Sequence, residues 1–310
     1  MLTWEVVGAV VGAGFASGRE IATYFAPYGL WGYAGIVAAV CFMMYLADGR
    51  IEQTSYKGLR ICWHIGIHVL LIVTGGAMLS AAGELSSMML PFHYGGITGA
   101  VLTFVIAWWL AKHSSVGLSC ISKMLVVVML VNIAAGLWLP TEQGMVVEIH
   151  RGEMAAIKWL AYGGYNAALL VPVCAYHVDI PRRQRNVEKG RASIIIACLL
   201  SMGNLVLNLH HELTSETLPF VRLSSRFGIA GFIMASGSMY LAVLSTLTAC
   251  IRGLPSGWLS LCIIAVSIVG FKETVAYVYP IVGFTCMVLL VISKCVNYAS
   301  DSFQSSSDVL

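Results

Sequence analysis

The sequence has few charged residues. Asp, Glu, Lys and Arg make up only 11% of its 310 positions, whereas 58% of the positions are hydrophobic. A soluble globular domain has about 25% charged residues, so this composition excludes an ordinary soluble protein. The formal net charge of +3 gives no reason to expect nucleic acid as a partner. We therefore predict an integral membrane protein whose main partner is the lipid bilayer.

The sequence also lacks the motifs of common catalytic and metal sites. Its nine cysteines include no Cys-x-x-Cys pair, which argues against a zinc site or a disulfide framework. We find no His-Glu-x-x-His, no phosphate-binding loop and no nucleophile beside a base. His64 and His68 share a helical spacing, but they have no carboxylate as third ligand. We predict that the protein is not an enzyme and has no cofactor.

Ten apolar segments follow one another along the chain. A membrane-spanning helix needs about 20 residues, and most of the segments are long enough. We number them spans 1 to 10, at residues 4–27, 31–48, 62–90, 95–111, 115–139, 156–178, 191–209, 227–251, 257–270 and 274–295. The predicted fold class is therefore an all-α integral membrane protein with ten transmembrane helices.

Basic residues are unevenly divided between the loops of this arrangement. With ten alternating spans, most of the loop Lys and Arg residues fall on the side that holds both chain ends. The cytoplasmic side of a membrane protein carries the excess of basic residues. We therefore predict a multi-pass protein of the cell (inner or plasma) membrane with both termini in the cytoplasm. The polar residues 296–310 are predicted to form a disordered cytoplasmic tail.

Glycines cluster near the start of spans 1 and 6. They are Gly8, Gly12, Gly14 and Gly18 in span 1 and Gly163 and Gly164 in span 6. Non-helical backbone persists in a bilayer only where it is packed in protein or lines a watery cavity. Glycine-broken spans at matching positions of two halves indicate an inverted-repeat transporter. Tight helix packing is the alternative for each run, and for span 6 the two interpretations are equally supported.

We accordingly predict one transmembrane transporter domain at residues 1–295, built as a 5+5 inverted repeat. Repeat one covers 1–139 and repeat two covers 155–295, with discontinuous helices in spans 1 and 6. Because each half has an odd number of spans, the second half is inverted relative to the first.

Residues at the two predicted breaks are the candidate solute-binding residues. Free amides at broken helix ends can bind an anionic group, and aromatic or amide side chains combine apolar area with a polar tip. The candidates are Gly12, Ala13, Gly14, Phe15 and Ser17 in span 1 and Tyr162, Gly163, Gly164, Tyr165 and Asn166 in span 6. Ordinary core packing is the alternative for Phe15.

Three charged residues lie inside predicted spans, where a charge is costly and needs a partner. Arg19 and Glu20 in span 1 and Glu84 in span 3 all lie about two turns below the outer surface. We expect Arg19 to pair with Glu84 as a gate or structural clasp. Glu20 then faces the cavity or caps the resumed helix. These residues are the candidates for gating or proton relay.

The stretch GAVVGAGFASGREIATYFAPYG at residues 8–29 resembles the first helix of the YkvI-type membrane transporters, a branch of the amino acid/polyamine/organocation superfamily. The resemblance covers essentially the whole chain and implies a LeuT-like fold, in which broken helices 1 and 6 hold the substrate. It implies a secondary active transporter of a small amino-acid-like or related organic solute. A ligand-sensing membrane receptor of the same fold, without transport, is the alternative.

The resemblance implies two alternatives for the coupling ion. A sodium ion would lie between spans 1 and 8, held by the carbonyls of Gly8 and Val11 together with Ala242, Ser245 and Thr246. The alternative is that the Ser245 and Thr246 hydroxyls simply donate hydrogen bonds to carbonyl groups of their own helix. Lys123 in span 5 resembles the lysine that replaces sodium in proton-coupled amino acid permeases, although it could equally extend to the inner headgroups. Proton coupling is modestly favoured over sodium.

Overall fold

The computed structural model describes residues 2–48, 51, 54, 56–90, 94–113, 118–140, 155–177 and 179–307. Within these ranges the chain forms helices and turns and no strand. The prediction of an all-α protein is therefore confirmed. All eight cysteines whose side chains the structure describes are free thiols.

The first predicted span is divided into three short helices and a turn. They are α1 (Leu2–Val10), α2 (Ala13–Ala16), α3 (Arg19–Tyr24) and a 3₁₀ turn at Ala26–Tyr28. Four further helices complete the first half: α4 (Trp31–Leu46), α5 (Lys57–Met89), α6 (Gly95–His113) and α7 (Leu118–Trp138).

The second half has seven helices and two short turns. The helices are α8 (Ala155–Tyr176), α9 (Arg182–Leu209), α10 (Pro219–Ser225), α11 (Gly228–Gly253), α12 (Gly257–Ser267), α13 (Phe271–Glu273) and α14 (Tyr279–Ser307). A 3₁₀ turn at His211–Ser215 precedes α10, and a π-helical turn at Thr274–Val278 precedes α14. Each of the ten predicted spans thus coincides with helical structure.

Several of these helices can cross a membrane. By length and composition, five helical segments are long and apolar enough: Lys57–Met89, Gly95–His113, Arg182–Leu209, Gly228–Gly253 and Phe271–Tyr298. Shorter apolar helices occur at Trp31–Leu46, Val126–Trp138 and Gly257–Ser267. The chain is therefore a multi-pass membrane protein. The number of ten crossings, the inverted repeat and the cytoplasmic position of the termini stay predictions.

Glycine interrupts the first span at two points. The Gly12 amide donates to the Val10 carbonyl at 2.9 Å and not to the Gly8 carbonyl four residues earlier, so the α-helical ladder of α1 ends. Gly18 directly precedes α3 and has a φ of 80°, a left-handed conformation that glycine adopts without steric cost. The predicted discontinuity in span 1 is therefore confirmed.

The predicted break in span 6 is wrong. α8 is continuous through residues 161–166, and all six of these residues are buried. Two adjacent glycines cost a helix only about 1 kcal/mol each relative to alanine. Close packing on both sides of the helix offsets that cost, as the contacts of the two glycines show.

Gly163 and Gly164 bring α8 close to two neighbouring helices. A Cβ atom added to Gly163 would lie 3.0 Å from the carbonyl oxygen of Ala39 in α4. A Cβ atom added to Gly164 would lie 2.6 Å from the carbonyl oxygen of Gly283 in α14. Small residues allow helix backbones in membranes to approach each other in this way. The packing interpretation of this glycine pair is therefore correct.

The last helix, α14, extends to Ser307, and residues 308–310 lie outside the described part of the chain. The disordered cytoplasmic tail at residues 296–310 stays a prediction. Residues 296–307 contain neither glycine nor proline, so no helix-breaking residue follows the end of the apolar span.

Two helices organise the packing of the others. α8 contacts α1, α4 and α14, and α5 contacts α6, α11 and α12. α1 also packs against α7 and α9, so the broken first span lies inside the bundle and not at its lipid-facing surface. Non-helical backbone at membrane depth is tolerated when it is surrounded by protein in this way.

We predict that Gly164→Ala destabilises the protein by about 1–3 kcal/mol, because the added methyl group would overpack the contact between α8 and α14. The measurement is the thermal unfolding midpoint of the purified protein in detergent. Gly237→Ala is the matched control, since Gly237 is an exposed glycine within α11 and has nothing within 4 Å of an added Cβ. The control should be neutral or slightly stabilising. Equal midpoints for both variants would contradict the packing assignment.

Candidate functional site

Glu20 lies in the first turn of α3, directly after the second interruption of span 1. Its side chain is only 3% exposed. The carboxyl group folds back over Gly14, since a Cβ atom added to Gly14 would overlap it. Its Oε2 atom has no hydrogen-bond partner among the described residues. Buried polar atoms are nearly always hydrogen-bonded in native proteins, so this free oxygen marks a special position.

Four buried tyrosines surround this carboxyl group. They are Tyr24 from α3, Tyr162 and Tyr165 from α8, and Tyr279 from α14, each 5% exposed or less. Each is close enough to Glu20 to interact with it electrostatically. The ring centroids of Tyr24 and Tyr162 are 5.2 Å apart, and the stacked rings of Tyr165 and Tyr279 are 4.6 Å apart. We call Glu20 and these four tyrosines the Glu20 cluster.

Further oxygen atoms without hydrogen-bond partners lie in and beside the Glu20 cluster. Within the described chain they include the hydroxyls of Tyr162, Tyr279 and Thr74 and the Oδ1 atom of Asn166, none of which has a partner at full hydrogen-bond distance and geometry. Several of these groups nevertheless face one another: Tyr162 lies beside Glu20 and Asn166, and Tyr279 lies beside Tyr165 and Thr74. Asn166 donates from Nδ2 to the Tyr162 carbonyl at 3.0 Å, which leaves its oxygen free. A buried polar group without a partner costs about 1–3 kcal/mol. The arrangement is therefore suited to a polar ligand, which would satisfy several of these groups at once.

Tyr24 differs from its neighbours because its hydroxyl is already bonded. It donates to the carbonyl oxygen of Val275 at 3.2 Å, in the π-helical turn before α14. This bond connects the broken first span to the last span. Phe25 adds an edge-to-face contact with the Tyr162 ring, with centroids 5.1 Å apart. The cluster is thus held by the Tyr24 hydrogen bond and by packing between aromatic rings.

The five candidates from span 6 divide into two groups. Tyr162, Tyr165 and Asn166 lie in and beside the Glu20 cluster, although α8 is intact. Gly163 and Gly164 instead contact α4 and α14 through their backbone. The expected free amides of a broken helix are absent from the described α8, and its side chains supply the polar groups.

The candidates from span 1 mainly shape the interruption. Ser17 donates its hydroxyl to the Gly14 carbonyl at 2.8 Å and accepts the Arg19 amide at 3.1 Å, so the side chain stabilises the turn between α2 and α3. Phe15 is fully buried in the hydrophobic core, which agrees with the alternative of ordinary core packing. The side chain of Ala13 lies outside the described residues. Gly14 provides the space that the Glu20 carboxyl group occupies.

Residues 211–225 cover the interruption on one side. The Phe220 amide at the start of α10 donates to the Ser17 carbonyl at 2.9 Å. The Phe220 ring lies 3.0 Å from a Cβ position built on Gly18. Because Gly18 also needs a positive φ, two separate constraints require glycine there. By the predicted orientation, this covering segment is on the outer side of the membrane.

The expected pair between Arg19 and Glu84 is wrong. The Arg19 Nη1 atom donates to the Thr214 carbonyl at 2.8 Å and to the Glu216 carbonyl at 3.1 Å. The opposite charge that acts on Arg19 is Glu273 of α13. Glu84 instead lines a groove between α5, α6 and α12. The left-handed turn at Gly18 changes the direction of the chain, so Arg19 points toward residues 211–225 and not toward α5.

The predicted ion-coupling residues are partly brought together. The Thr246 hydroxyl oxygen in α11 lies 3.6 Å from a Cβ position built on Gly12, so α11 meets the first span at its interruption. Ala242 is buried, and Ser245 is half-buried on the same helix. The Gly8 carbonyl lacks the Gly12 amide as a partner, as described above. The sodium-binding role of these residues, with Val11, stays a prediction.

The side chain of Lys123 lies outside the described residues, so its coupling role also stays a prediction. Within the described ranges, no three His, Cys, Asp or Glu side chains group together in a way that could hold a metal ion.

Three residues of the site were missed by the sequence analysis. Tyr24 follows Glu20 by four positions, a spacing that places two residues on one helix face, and this signal could have identified it. Thr74 begins the small-residue run TGGAMLSAAGELSS of span 3. Tyr279 has no local signal, because only the packing of α14 against α8 brings it to Glu20.

Comparisons with known proteins give distant relatives. No protein-family model matches the chain. The uncharacterized membrane protein YkvI of Bacillus subtilis (strain 168) is 33% identical over 99 residues, which cover 27% of this chain and 28% of YkvI. The uncharacterized protein YyaD of the same organism is 24% identical over 331 residues, which cover 92% of this chain and 93% of YyaD. The more similar relative is thus matched over less than a third of its length.

Solved structures show a similar fold. A mutant of the Eremococcus coleocola manganese transporter aligns with a TM-score of 0.51 and 14% sequence identity, covering 100% of this chain and 72% of that chain. At this identity the likeness concerns the fold alone. The chain is therefore a multi-pass, all-α membrane protein with the fold of a membrane transporter. Its placement within the LeuT-like superfamily stays a prediction.

The contact between Gly14 and Glu20 can be tested by a double-mutant cycle. We predict that Gly14→Ala costs about 1–3 kcal/mol, because the new methyl group would displace the Glu20 side chain. In a Glu20→Ala background the same change should cost little, because the displaced atoms are gone. Gly12→Ala is the control, since its added Cβ would meet Thr246 at an ordinary distance of 3.6 Å. Thermal unfolding midpoints measure all four effects, and additive effects of Gly14→Ala and Glu20→Ala would contradict the contact.

Proposed function

We propose that the protein is a secondary active transporter of a small amino-acid-like or related organic solute, coupled to a proton gradient, with sodium as the alternative ion. The observation that carries the proposal is the buried Glu20 carboxyl group. It has a free oxygen, and it is folded over the interruption of a membrane span. The fold shared with a membrane transporter supports the same conclusion.

Glu20 is the group that we assign to proton transfer. A charged side chain at the centre of a membrane helix costs about 2.5–3.5 kcal/mol on insertion scales, and such residues mark ion pathways and proton relays. The nearest basic residue in sequence, Arg19, directs its guanidinium to the Thr214 and Glu216 carbonyls and does not neutralise Glu20. The adjoining hydroxyls of Tyr162 and Tyr279 can both donate and accept hydrogen bonds. A proton can therefore be bound and released at Glu20 without a fixed cationic partner.

The Glu20 cluster also suits an amino-acid-like solute. A solute ammonium group can lie against the tyrosine faces, which attract cations and apolar groups alike. The free Asn166 and Thr74 oxygens can accept further hydrogen bonds from the solute. The position between α3, α8 and α14 is the kind of site that transporters form at a discontinuous helix.

Contacts at the second interruption and at the start of span 1 are candidates for the gates of alternating access. At the interruption, residues 211–225 hold Ser17 and Arg19. At the start of the span, the Thr3 hydroxyl donates to Glu188 Oε2 at 2.5 Å, and the His177 Nε2 atom lies 2.6 Å from Glu5 Oε2. These bonds attach α1 to the end of α8 and the start of α9. Opening one set while the other stays closed would expose the cluster to one side at a time.

The sodium alternative has support of its own. Hard cations prefer oxygen ligands, and the Thr246 hydroxyl faces the interruption where the Gly8 carbonyl has lost its helical partner. We do not extend the proposal to manganese, the ion in the name of the structural neighbour. The Glu20 cluster has one carboxyl group and four tyrosines, whereas manganese prefers carboxylate, carbonyl and water oxygens.

The test is uptake of labelled amino acids, amines and related metabolites into proteoliposomes, with pH and sodium clamped separately. We expect one solute to accumulate when a proton gradient is imposed. Glu20→Gln should abolish this accumulation but retain counterflow of the solute, because the variant can no longer release a proton. Lys123→Ala tests the alternative proton carrier in the same assay. Asp301→Asn, near the end of α14, removes an acid outside the cluster and should transport normally.

The outcomes separate the alternatives. Accumulation that follows sodium and is unchanged by pH would favour the site at Thr246. A solute that raises the unfolding midpoint without any counterflow would favour the ligand-sensing receptor. Absence of flux for every solute, with manganese included in the screen, would contradict transport of the proposed class.

A further inference from the structure

A groove opens on the lipid-facing surface between α5, α6 and α12. Its cavity volume is about 520 Å³, within the usual range for small-molecule sites. The floor is made of small residues such as Gly83, Gly96 and Ala100, and the walls include Ile97 and Ile268. Ile97 is 66% exposed and Ile268 is 84% exposed. Exposed apolar side chains of this kind on membrane helices face lipid, so the groove is accessible from the bilayer.

The groove exists because α5 and α6 cross at glycines. A Cβ atom added to Gly83 would lie 3.3 Å from the Gly96 carbonyl oxygen, and one added to Gly96 would lie 3.2 Å from the Gly83 carbonyl oxygen. The two backbones therefore touch, and the described side chains leave the space above the crossing open. We call this surface the Glu84 groove, after the one acidic residue among the described residues that line it.

Glu84 has no role in the site described above. Its side chain is half-buried, and among the described residues no basic group forms an ion pair with it. It lies five residues before the end of α5 at Met89, or about 7.5 Å along the helix. α5 has 33 residues and is about 50 Å long, which exceeds the hydrocarbon core of about 30 Å, so a group this close to the end of the helix is within reach of the lipid headgroups. A half-buried carboxyl group beside the hydrocarbon favours a cationic partner.

We propose that the Glu84 groove binds a phospholipid whose headgroup carries a primary ammonium group. The ammonium donates charge-assisted hydrogen bonds to the Glu84 carboxylate, which are stronger than bonds between neutral groups. An acyl chain lies against the apolar walls and the glycine floor. A choline headgroup has no N–H donor, and an anionic headgroup is repelled by Glu84. The groove therefore selects phosphatidylethanolamine over phosphatidylcholine and phosphatidylglycerol. This site is independent of the proposed transport activity.

The test is native mass spectrometry of the full-length protein with the three lipids, all with the same acyl chains. We expect the wild type to bind phosphatidylethanolamine about 3- to 20-fold more tightly than phosphatidylcholine, the range that polar contacts within membranes support. Glu84→Gln should abolish this preference, and Glu84→Asp should keep part of it. Asp301→Asn is the control for a lost negative charge and should keep the full preference.

A second variant tests the groove itself. Ser87→Leu adds a branched apolar side chain at an exposed lining position. This variant should weaken the binding of all three lipids by a similar factor, because the leucine fills the groove and leaves Glu84 in place. Unfolding midpoints of every variant show that the fold is retained.

Three results would overturn the proposal. The first is equal binding of the three lipids by the wild type. The second is an unchanged preference for phosphatidylethanolamine in Glu84→Gln. The third is displacement of the bound lipid by free ethanolamine at equal concentration, which would identify a soluble amine as the ligand instead of a lipid.

Discussion

The backbone interruption in the first span is the constraint on which the rest of the structure depends. Lipid cannot satisfy a free amide or carbonyl group, so the interruption at Gly12 and Gly18 has to be enclosed by protein. The Ser17 side chain and the Phe220 amide bond its exposed peptide groups. α8 packs beside it, and its tyrosines extend toward it. Glu20 follows the interruption directly, and the same enclosure that protects the backbone places its carboxyl group among buried tyrosines.

Much of this fold could be predicted from composition and glycine spacing, but the role of individual glycines could not. Gly18 interrupts a span because it adopts a positive φ, whereas Gly163 and Gly164 remain helical and bring neighbouring backbones together. Both roles leave the same mark in a sequence, a glycine in an apolar run. The difference comes from what lies opposite each residue, and only the three-dimensional packing contains that information.

The candidate site was predictable to a similar extent. Glu20 was identified because an acid inside a membrane span is costly. Tyr162 and Asn166 were selected for an expected break, but they reach the cluster from an intact helix. The partner of Arg19 could not be predicted by depth alone, because Gly18 changes the direction of the chain before Arg19. Tyr279 lies more than a hundred residues along the chain from both Glu20 and Tyr165, and no local sequence pattern relates it to them.

The continuous α8 makes the two walls of the Glu20 cluster mechanically unequal. The glycine contacts hold α8 against α4 and α14, so this part of α8 is rigid and keeps Tyr162 and Tyr165 in position beside Tyr279. The opposite wall consists of three short helices, with hinges before α2 and before α3. A deformation of the protein would therefore concentrate at these two hinges. The Glu20 carboxyl group lies on the wall that contains them.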